Sequence, residues 1–376
     1  MAGHHAGGVS RRPPGGSPAP RLGYPGGIPT SREGHIHSWL LALSTTFIVL
    51  ASLGGRPAEA QSFFEGKTVR VIVGFAPGGG FDTYARVIAR HMGKHVPGNP
   101  TFIVENMAGA GSLIAANHVY KVVKPDGLTV GKFNGSLMLG QVLGQAGVEF
   151  DARKFEFIGA AVKEDVVCSL TKASGITSVE KWMAAKPPVK LGGVAPGASP
   201  DNSGRVLKAV LGLPIQVVSG YRGTAEIRLA VDGGELAGAC WSWESMRATW
   251  RSALEAGDVI PVMQLTGKPF PDLPNVPLAI NLTKSEEARR LIQVGLQNTG
   301  AFARPFVLPP GTPKQRVQIL GRAFQETLKD PAFLAEAEKG KLTLDPVTGD
   351  ELEKMVAELF TLDAALLAKL KEVLYN

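Results

Sequence analysis

The sequence predicts an α/β fold made of two blocks of alternating strands and helices, each built on a mostly parallel sheet. Three runs rich in β-branched residues, at 69–75, 101–105 and 128–133, are bounded by loops, and helix-like stretches separate them. A second series of strand-like runs starts near Val166. Such alternation favours parallel pairing with right-handed crossovers, and it places ligand sites beyond the carboxyl ends of the strands.

The first strand-like run ends in the glycine-rich loop 75–82 (FAPGGGFD). Asp82 is the predicted N-cap of a helix in which Ala85, Ile88 and Met92 recur on one face. A helix N-terminus offers unpaired N–H donors and the positive end of the helix dipole, and glycines let a ligand approach the backbone closely. The loop therefore predicts an anion site.

A second glycine-rich loop, 105–112 (ENMAGAGS), ends the next strand-like run, and Ser112 is the predicted cap of the helix that follows. Two helix N-termini are thus predicted to open onto one cleft. The spacing of Gly109 and Gly111 matches the start of a dinucleotide fingerprint, but Ile114 stands at the third glycine position. No Walker lysine follows the glycines of either loop, so a nucleotide is not expected.

The second block predicts strands at 166–170, 189–194, 215–218 and 235–241. Two of its glycine-bearing loops, 192–200 and 219–224, each precede a predicted helix. Farther along, Thr312 and Thr348 have the spacing of capping-box residues with Gln315 and Glu351, which predicts two packing helices there.

The first 60 residues are predicted to be a leader that ends in a secretory signal. An apolar stretch at 39–53 precedes the small-residue site Ala58-Glu59-Ala60, so cleavage is expected after Ala60. A membrane anchor is the less favoured alternative, because a spanning helix needs about 20 apolar residues. No cysteine follows the apolar stretch, which argues against a lipoprotein.

Composition narrows the partners and the chemistry. The formal net charge is +7, but no Lys/Arg-dense stripe with interleaved aromatic residues is present, so nucleic acid is not an expected partner. The two cysteines, Cys168 and Cys240, lie in strand-like segments; a disulfide is one alternative, and two buried thiols are the favoured one. Neither has metal-ligand spacing with other residues, so neither a metal nor a cofactor is expected.

Three ordered motifs resemble those of Bug-type substrate-binding proteins of tripartite tricarboxylate transporters. They are VIVGFAPGGGFDTYAR at 71–86, VENMAGAGS at 104–112 and KPDGLTV at 124–130. The resemblance continues through YRGT at 221–224, VDGGEL at 231–236, PPGTP at 309–313 and KDP at 329–331. It therefore covers nearly the whole chain after the leader.

This resemblance implies a periplasmic, two-lobed Venus-flytrap protein that closes on a small carboxylate. The leader would span 1–60, lobe I would comprise 61–165 and 296–376, and lobe II would comprise 166–295. Family members pass their ligand to the permease subunits of a membrane transporter, and they are binding proteins rather than enzymes. A monomer is expected.

The family anchors a ligand carboxylate mainly through backbone N–H groups and ordered waters of the two first-lobe loops. The first-lobe candidates are Ala76, Gly78, Gly79, Gly80, Phe81, Asp82, Asn106, Ala108, Gly109, Ala110 and Gly111, together with Ser136 after the third strand. The second-lobe candidates are Ser199, Asn202, Tyr221, Arg222 and Thr224. Asp82 is expected both to cap its helix and to order its loop, whereas Asn106 contacts either the ligand or its own loop.

Some features depart from the family pattern. Gly220 replaces the usual proline before the Tyr-Arg-Gly motif, and the loop 195–202 lacks the usual Ser/Thr followed by His, so the ligand stays unidentified. The run 240–243 (CWSW) is not a usual family feature and either lines the cleft or fills the core. The alternative functions are an exported α/β enzyme, such as a hydrolase acting on a small organic acid, and a scaffold without a ligand. The hydrolase alternative is not favoured, because the sequence contains no G-x-S-x-G nucleophile motif.

Overall fold

Two β-sheets organise the structure, a computed structural model that describes residues 63–375. In chain order the strands are β1 (Thr68–Val73), β2 (Thr101–Asn106), β3 (Thr129–Lys132), β4 (Glu156–Ala160), β5 (Val166–Thr171), β6 (Val189–Gly192), β7 (Ile215–Val218), β8 (Gly238–Ser242), β9 (Val259–Gln264), β10 (Phe306–Leu308) and β11 (Val347–Thr348). The predicted leader and its cleavage site lie outside the described residues.

Helices cover both sheets. They are α1 (Gly80–Met92), α2 (Leu113–Lys121), α3 (Ser136–Val142), α4 (Val179–Met183), α5 (Ser199–Leu211), α6 (Thr224–Asp232), α7 (Trp243–Thr249), α8 (Arg251–Glu255), α9 (Glu286–Ile292), α10 (Asn298–Gly300), α11 (Lys314–Thr327), α12 (Pro331–Lys339), α13 (Gly349–Leu359) and α14 (Ala364–Tyr375). A π-helical turn, Gln293–Gln297, joins α9 to α10. Within residues 63–375, none of these helices has the length and apolarity that crossing a membrane requires.

The first sheet has the strand order β11-β4-β10-β3-β1-β2. β1 pairs in parallel with β2 and β3, and β10 pairs antiparallel with β3 and with β4. Strands β1 to β4 therefore share one direction. Because β1, β2 and β3 alternate with α1 and α2, the loops that follow β1 and β2 meet at the same edge of the sheet.

The second sheet has the strand order β7-β6-β8-β5-β9. β6 pairs in parallel with β7 and β8, whereas β5 pairs antiparallel with β8 and β9. Each sheet has one antiparallel strand between parallel ones, β10 in the first and β5 in the second, and the chain enters this strand after crossing from the other sheet. At the edge of the first sheet, β11 also pairs antiparallel with β4. The predicted fold class, two α/β sheets flanked by helices, is confirmed.

The two crossings lie side by side. Residues 161–165 lead from β4 to β5, and residues 301–305 lead from α10 to β10. The backbone N–H of Glu164 donates to the carbonyl of Gly300 at 2.8 Å. A side chain on Gly300 would overlap with the Glu164 carbonyl, so a glycine is required for this close approach.

The seven strands predicted from the sequence are all present, but of the four predicted helix caps only that of Thr348 forms in full. Gly79, not Asp82, occupies the cap position of α1. Ser112 occupies the cap position of α2, in a left-handed conformation, but its hydroxyl accepts from the N–H of Asn134 rather than from its own helix. Pro313, not Thr312, precedes α11, whereas the capping box of Thr348 with Glu351 is confirmed.

The two cysteines form a disulfide, so the favoured expectation of free thiols is wrong. Cys168 on β5 lies directly opposite Cys240 on β8 in the antiparallel register. Because 72 positions separate the two cysteines in the sequence, the sequence does not show that they are neighbours. The pairing becomes visible only when the strand order is known.

Candidate functional site

A small cavity lies between the loops of the two sheets, at the N-terminus of α1. Its volume is about 40 Å³, and Phe75, Gly79, Gly80 and Phe81 form one side of it. A single water needs about 10 to 15 Å³ of such volume, so the cavity has room for only a few water-sized groups. The cleft is therefore nearly closed in this structure.

Hydrogen bonds between the two sides hold the cleft closed. They are Ala76 N–H to Arg222 O at 3.1 Å, Arg228 Nη2 to Gly78 O at 3.1 Å, Asn134 Nδ2 to Gly197 O at 2.8 Å, and Gln145 Nε2 to Pro196 O at 3.1 Å. Each joins an element of the first sheet to an element of the second. Since all four use a backbone group of a loop, the glycine-bearing loops themselves form the closing surfaces.

The first loop is held in shape by buried Asp82. Its carboxylate accepts from the N–H of Gly78 at 2.9 Å, from Nε of Arg86 at 3.0 Å and from Nδ2 of Asn106 at 2.9 Å. Asn106 also donates to the carbonyl of Phe75 at 2.9 Å. Burial raises the pKa of Asp82, but these hydrogen bonds and the Arg86 charge outweigh it and hold the pKa below its ordinary value. The polar side-chain atoms of Asp82 and Asn106 thus form hydrogen bonds that hold the first loop in shape.

The second loop borders the opposite lobe instead of the cavity. None of Ala108, Gly109, Ala110 and Gly111 lines the cavity. Gly111 has a positive φ of 62°, and a side chain there would lie 3.4 to 3.5 Å from the methyl groups of Ala195 and Ala198. Its backbone conformation and this close approach both favour glycine. The structure therefore gives the two glycine loops different positions, one at the cavity and one at the closing surface.

A buried ion pair spans the two crossings at the edge of the cavity. Nε of Arg304 donates to Oε2 of Glu164 at 3.2 Å, and the two side chains are only 3% and 6% exposed. Arg304 also donates through Nη2 to the Ser242 hydroxyl, and Ser199 donates to Oε1 of Glu164. Both charged residues line the cavity, together with Ser199.

Three polar atoms of cavity-lining residues have no hydrogen-bond partner among residues 63–375. They are Nη1 of Arg304, the hydroxyl of Ser245 and Nε1 of Trp241. A Cβ placed on Gly80 would overlap with the Ser245 hydroxyl and lie 3.3 Å from Nη1 of Arg304. The start of α1, a guanidinium and a hydroxyl therefore converge on one point.

The remaining walls are apolar and aromatic. Phe75 and Phe81 contact each other with ring centroids 4.6 Å apart, and the Arg304 guanidinium lies 4.8 Å from the Phe81 centroid. Trp241 stacks on Trp250 at 5.1 Å. The aromatic residues thus give the cavity flat apolar surfaces beside its polar residues.

Two further buried ionisable residues lie behind the cavity. Burial is the main cause that lowers the pKa of Lys132 well below its ordinary value, and its ammonium stands 4.1 Å from the Phe306 ring centroid. Burial likewise raises the pKa of Glu244 to about 8, with the nearby Asp165 carboxylate adding to the effect. Neither Lys132 nor Glu244 lines the cavity.

The second-lobe candidates divide into two groups. Ser199 and Thr224, the first residues of α5 and α6, line the cavity. Tyr221 donates to Glu235 at 2.7 Å, and Nε of Arg222 lies 2.7 Å from Glu226 with 72% of the Arg222 side chain exposed.

Two other candidates are buried in loop contacts. The Asn202 amide oxygen accepts from the N–H of Gly197 at 3.1 Å, and the N–H of Ser136 donates to Asn134 at 3.0 Å. Both side chains are buried. Neither Asn202 nor Ser136 lines the 40 Å³ cavity.

Sequence reasoning missed Glu164, Ser245 and Arg304, and left open whether Trp241 lines the cleft. Trp241 does line it, whereas its neighbour Trp243 does not. The available signal for Arg304 is its position as a lone charge in the apolar stretch 301–308 (AFARPFVL). A charged residue in such a stretch is buried only with a partner, and the sequence does not show that the partner is Glu164.

Comparisons with known proteins agree with this architecture. The profile described as "Tripartite tricarboxylate transporter family receptor" matches residues 84–371. A UPF0065 protein of Bordetella pertussis is 27% identical over 303 residues, which cover 79% of this chain and 86% of that protein.

Two solved structures show the same fold. The periplasmic binding protein BugD superposes with a TM-score of 0.65 at 21% identity, covering 82% of this chain and 98% of its own. MatC from Rhodopseudomonas palustris, solved with bound malate, has a TM-score of 0.65 at 21% identity and covers 83% and 100% of the two chains.

Proposed function

Because the chain belongs to the family of tripartite tricarboxylate transporter receptors, we propose that it captures a small carboxylate between two lobes and delivers it to the transporter's permease subunits. The family consists of solute-binding receptors, so the chain is a binding protein and not an enzyme. MatC, of the same fold, is solved with malate, and this supports a carboxylate as the ligand.

The observation that carries the proposal is the position of Gly79 and Gly80. Both line the 40 Å³ cavity at the start of the 13-residue α1. The first N–H groups of a helix have no partner inside the helix, and a carboxylate at this end gains charge-assisted hydrogen bonds of roughly 1.5 to 3 kcal/mol each. The backbone N–H groups at the end of the first loop would thus bind the ligand carboxylate.

The second glycine-rich loop would contribute to ligand binding when the cleft closes. Gly111 faces Ala195 and Ala198 across the cleft, so closure brings this loop against the second sheet. In an open form the backbone N–H groups of 108–111 would become accessible to the ligand, whereas those of Met107 and Ser112 stay bonded to the carbonyls of Val73 and Gly109. Lobe I would comprise 61–165 and 296–376, lobe II would comprise 166–295, and the crossings at Glu164 and Arg304 would act as the hinge.

The predicted leader supports a periplasmic location and cleavage after Ala60. N-terminal sequencing of the protein recovered from a periplasmic fraction tests this part. A mature chain that starts at Gln61 is expected, and a protein that stays in the membrane fraction would support the anchor instead.

Two measurements test ligand capture. Native mass spectrometry of the purified protein is expected to show a co-purifying organic acid. After this ligand is removed by unfolding and refolding, saturation with the matching acid at about 100 Kd is expected to add roughly 2.7 kcal/mol to the free energy of unfolding. A chain that neither retains nor responds to any mono-, di- or tricarboxylate would be a scaffold.

A further inference from the structure

We propose that the ligand of this cleft is a monocarboxylate with an apolar body, and that Nη1 of Arg304, the Ser245 hydroxyl and the N-terminus of α1 hold its carboxylate. This inference rests on the proposed carboxylate-binding function. It goes further in assigning the anchor to side chains and in limiting the ligand to one carboxylate.

The anchor is built before any ligand arrives. Arg304 is 97% buried, and Glu164 and Ser242 occupy its Nε and Nη2. This leaves Nη1, which lies on the side of Gly80 and has no partner in the described part of the chain. The Ser245 hydroxyl is equally buried and unpartnered beside Gly80. Buried donors without acceptors are costly, and a carboxylate oxygen at this point would accept from both.

The charges of the site allow one carboxylate and disfavour two. Glu164 lies 3.2 Å from Nε of Arg304, so a carboxylate already neutralises the guanidinium. Lys132 does not line the cavity; its ammonium lies over the Phe306 ring and donates to the Arg304 carbonyl at 3.4 Å. One ligand carboxylate can accept hydrogen bonds from Nη1 of Arg304 and from the N-terminus of α1. Among residues 63–375 Arg304 is the only cationic residue that lines the cavity, so a second carboxylate enclosed there would be unpaired, which is strongly unfavourable.

The walls suit a hydrocarbon or aromatic body. The rings of Phe75, Phe81 and Trp241 and the side chains of Val194 and Pro200 surround the polar end. A hydrocarbon or aromatic body loses nothing by contact with these surfaces, whereas an enclosed second carboxylate would give up its hydrating water without a cation in its place.

Matched pairs of acids separate one carboxylate from two. Isothermal titration calorimetry with ligand-free protein would compare benzoate with terephthalate and butyrate with succinate, and Trp241 fluorescence would report the same events. Each monoacid is expected to bind at least tenfold more tightly than its diacid partner. Tighter binding of both diacids would overturn this inference and leave the carboxylate-binding function intact. If neither these four acids nor any other carboxylate binds, both this inference and the proposed carboxylate-binding function are overturned.

Variants test the anchor itself. Ser245→Ala and Arg304→Lys are each expected to weaken monoacid binding at least tenfold, while Arg289→Ala, which removes a half-buried arginine beside Glu286, leaves it unchanged. Circular dichroism checks folding of each variant. If Arg304→Lys does not fold, Ser245→Ala decides the question, and an unchanged affinity in Ser245→Ala overturns the assignment of the anchor.

Discussion

Arg304 and Glu164 form an ion pair that joins the two chain crossings between the sheets. Their side chains meet at 3.2 Å, and the backbone of Glu164 bonds to Gly300 on the other crossing. The same pair lines the cavity beside α1. One interaction is therefore part of both the proposed hinge and the binding site, which gives a ligand at Arg304 a direct connection to the segments that must bend.

Replacing only one partner of this ion pair should lower the free energy of unfolding more than replacing both partners. Glu164→Gln leaves a buried guanidinium without its carboxylate, and a loss of about 3 to 5 kcal/mol in the free energy of unfolding is expected. The double variant Glu164→Gln with Arg304→Met buries no charge and should lose less than Glu164→Gln alone. Urea unfolding of the single and double variants measures the coupling, and strictly additive losses would contradict it.

Gly80 should be required because the opposite lobe leaves no room for a side chain. The Cβ of Gly80→Ala would overlap with the Ser245 hydroxyl and approach Cβ of Ser245 to 2.7 Å. We expect at least a tenfold loss in ligand affinity, with the helix itself intact. Adding Ser245→Gly should restore closure of the cleft, measured by small-angle scattering with saturating ligand, although not the lost hydroxyl.

The matched control for Gly80→Ala is Gly267→Ala. A side chain at Gly267 would meet only the Gln297 amide oxygen at 3.8 Å. Ligand affinity of this variant should stay within twofold of that of the unchanged protein. Equal losses in both glycine variants would remove the steric explanation.

The disulfide between Cys168 and Cys240 should stabilise the second sheet. It closes a segment of 72 residues, and a loop of that size corresponds to roughly 4 kcal/mol in the chain-entropy account. Cys168→Ala with Cys240→Ala is expected to lower the melting temperature, and a reductant should lower that of the unchanged protein but not of the double variant. Two free thiols in non-reducing mass spectrometry of the exported protein would contradict the pairing.

Glu244 should make stability depend on pH. Burial raises its pKa from 4.5 to about 8, and Asp165 and Glu164 add to the rise while Arg304 opposes it. The folded protein therefore holds a proton that the unfolded chain releases between these values. Its stabilising contribution is complete below pH 4.5 and is lost as the pH rises to about 8, at up to ~1.4 kcal/mol per pKa unit.

Glu244→Gln should remove this contribution, since an amide keeps the size of the side chain without titrating. The free energy of unfolding from urea titrations at pH 5, 6, 7 and 8 should fall more steeply in the unchanged protein than in the variant. Glu255→Gln, on the neighbouring short helix α8, serves as the control for a change of charge alone. Parallel pH profiles of the Glu244 variant and the unchanged protein would argue against a proton on Glu244.

Local patterns in the sequence predicted much of the fold. The run 69–75 and its glycine loop became β1 and the start of α1, and the capping box at Thr348 formed as predicted. Neither Asp82 nor Ser112 caps its helix with its side chain, because both side chains form other buried contacts, the first with Arg86 and Asn106 and the second with Asn134. Tertiary hydrogen bonds outweighed the local preference for a cap.

The sequence by itself determined the α/β class, the strands, the glycine loop at α1 and the family resemblance, since these depend on residues near one another in the chain. Only the tertiary structure decided that Cys168 meets Cys240, that Arg304 meets Glu164, and that one glycine loop lines the cavity while the other contacts Ala195 and Ala198. The reason is physical. Spacing and periodicity report contacts within an element, whereas a site between two sheets is made by strand order and by the crossings that bring distant segments together.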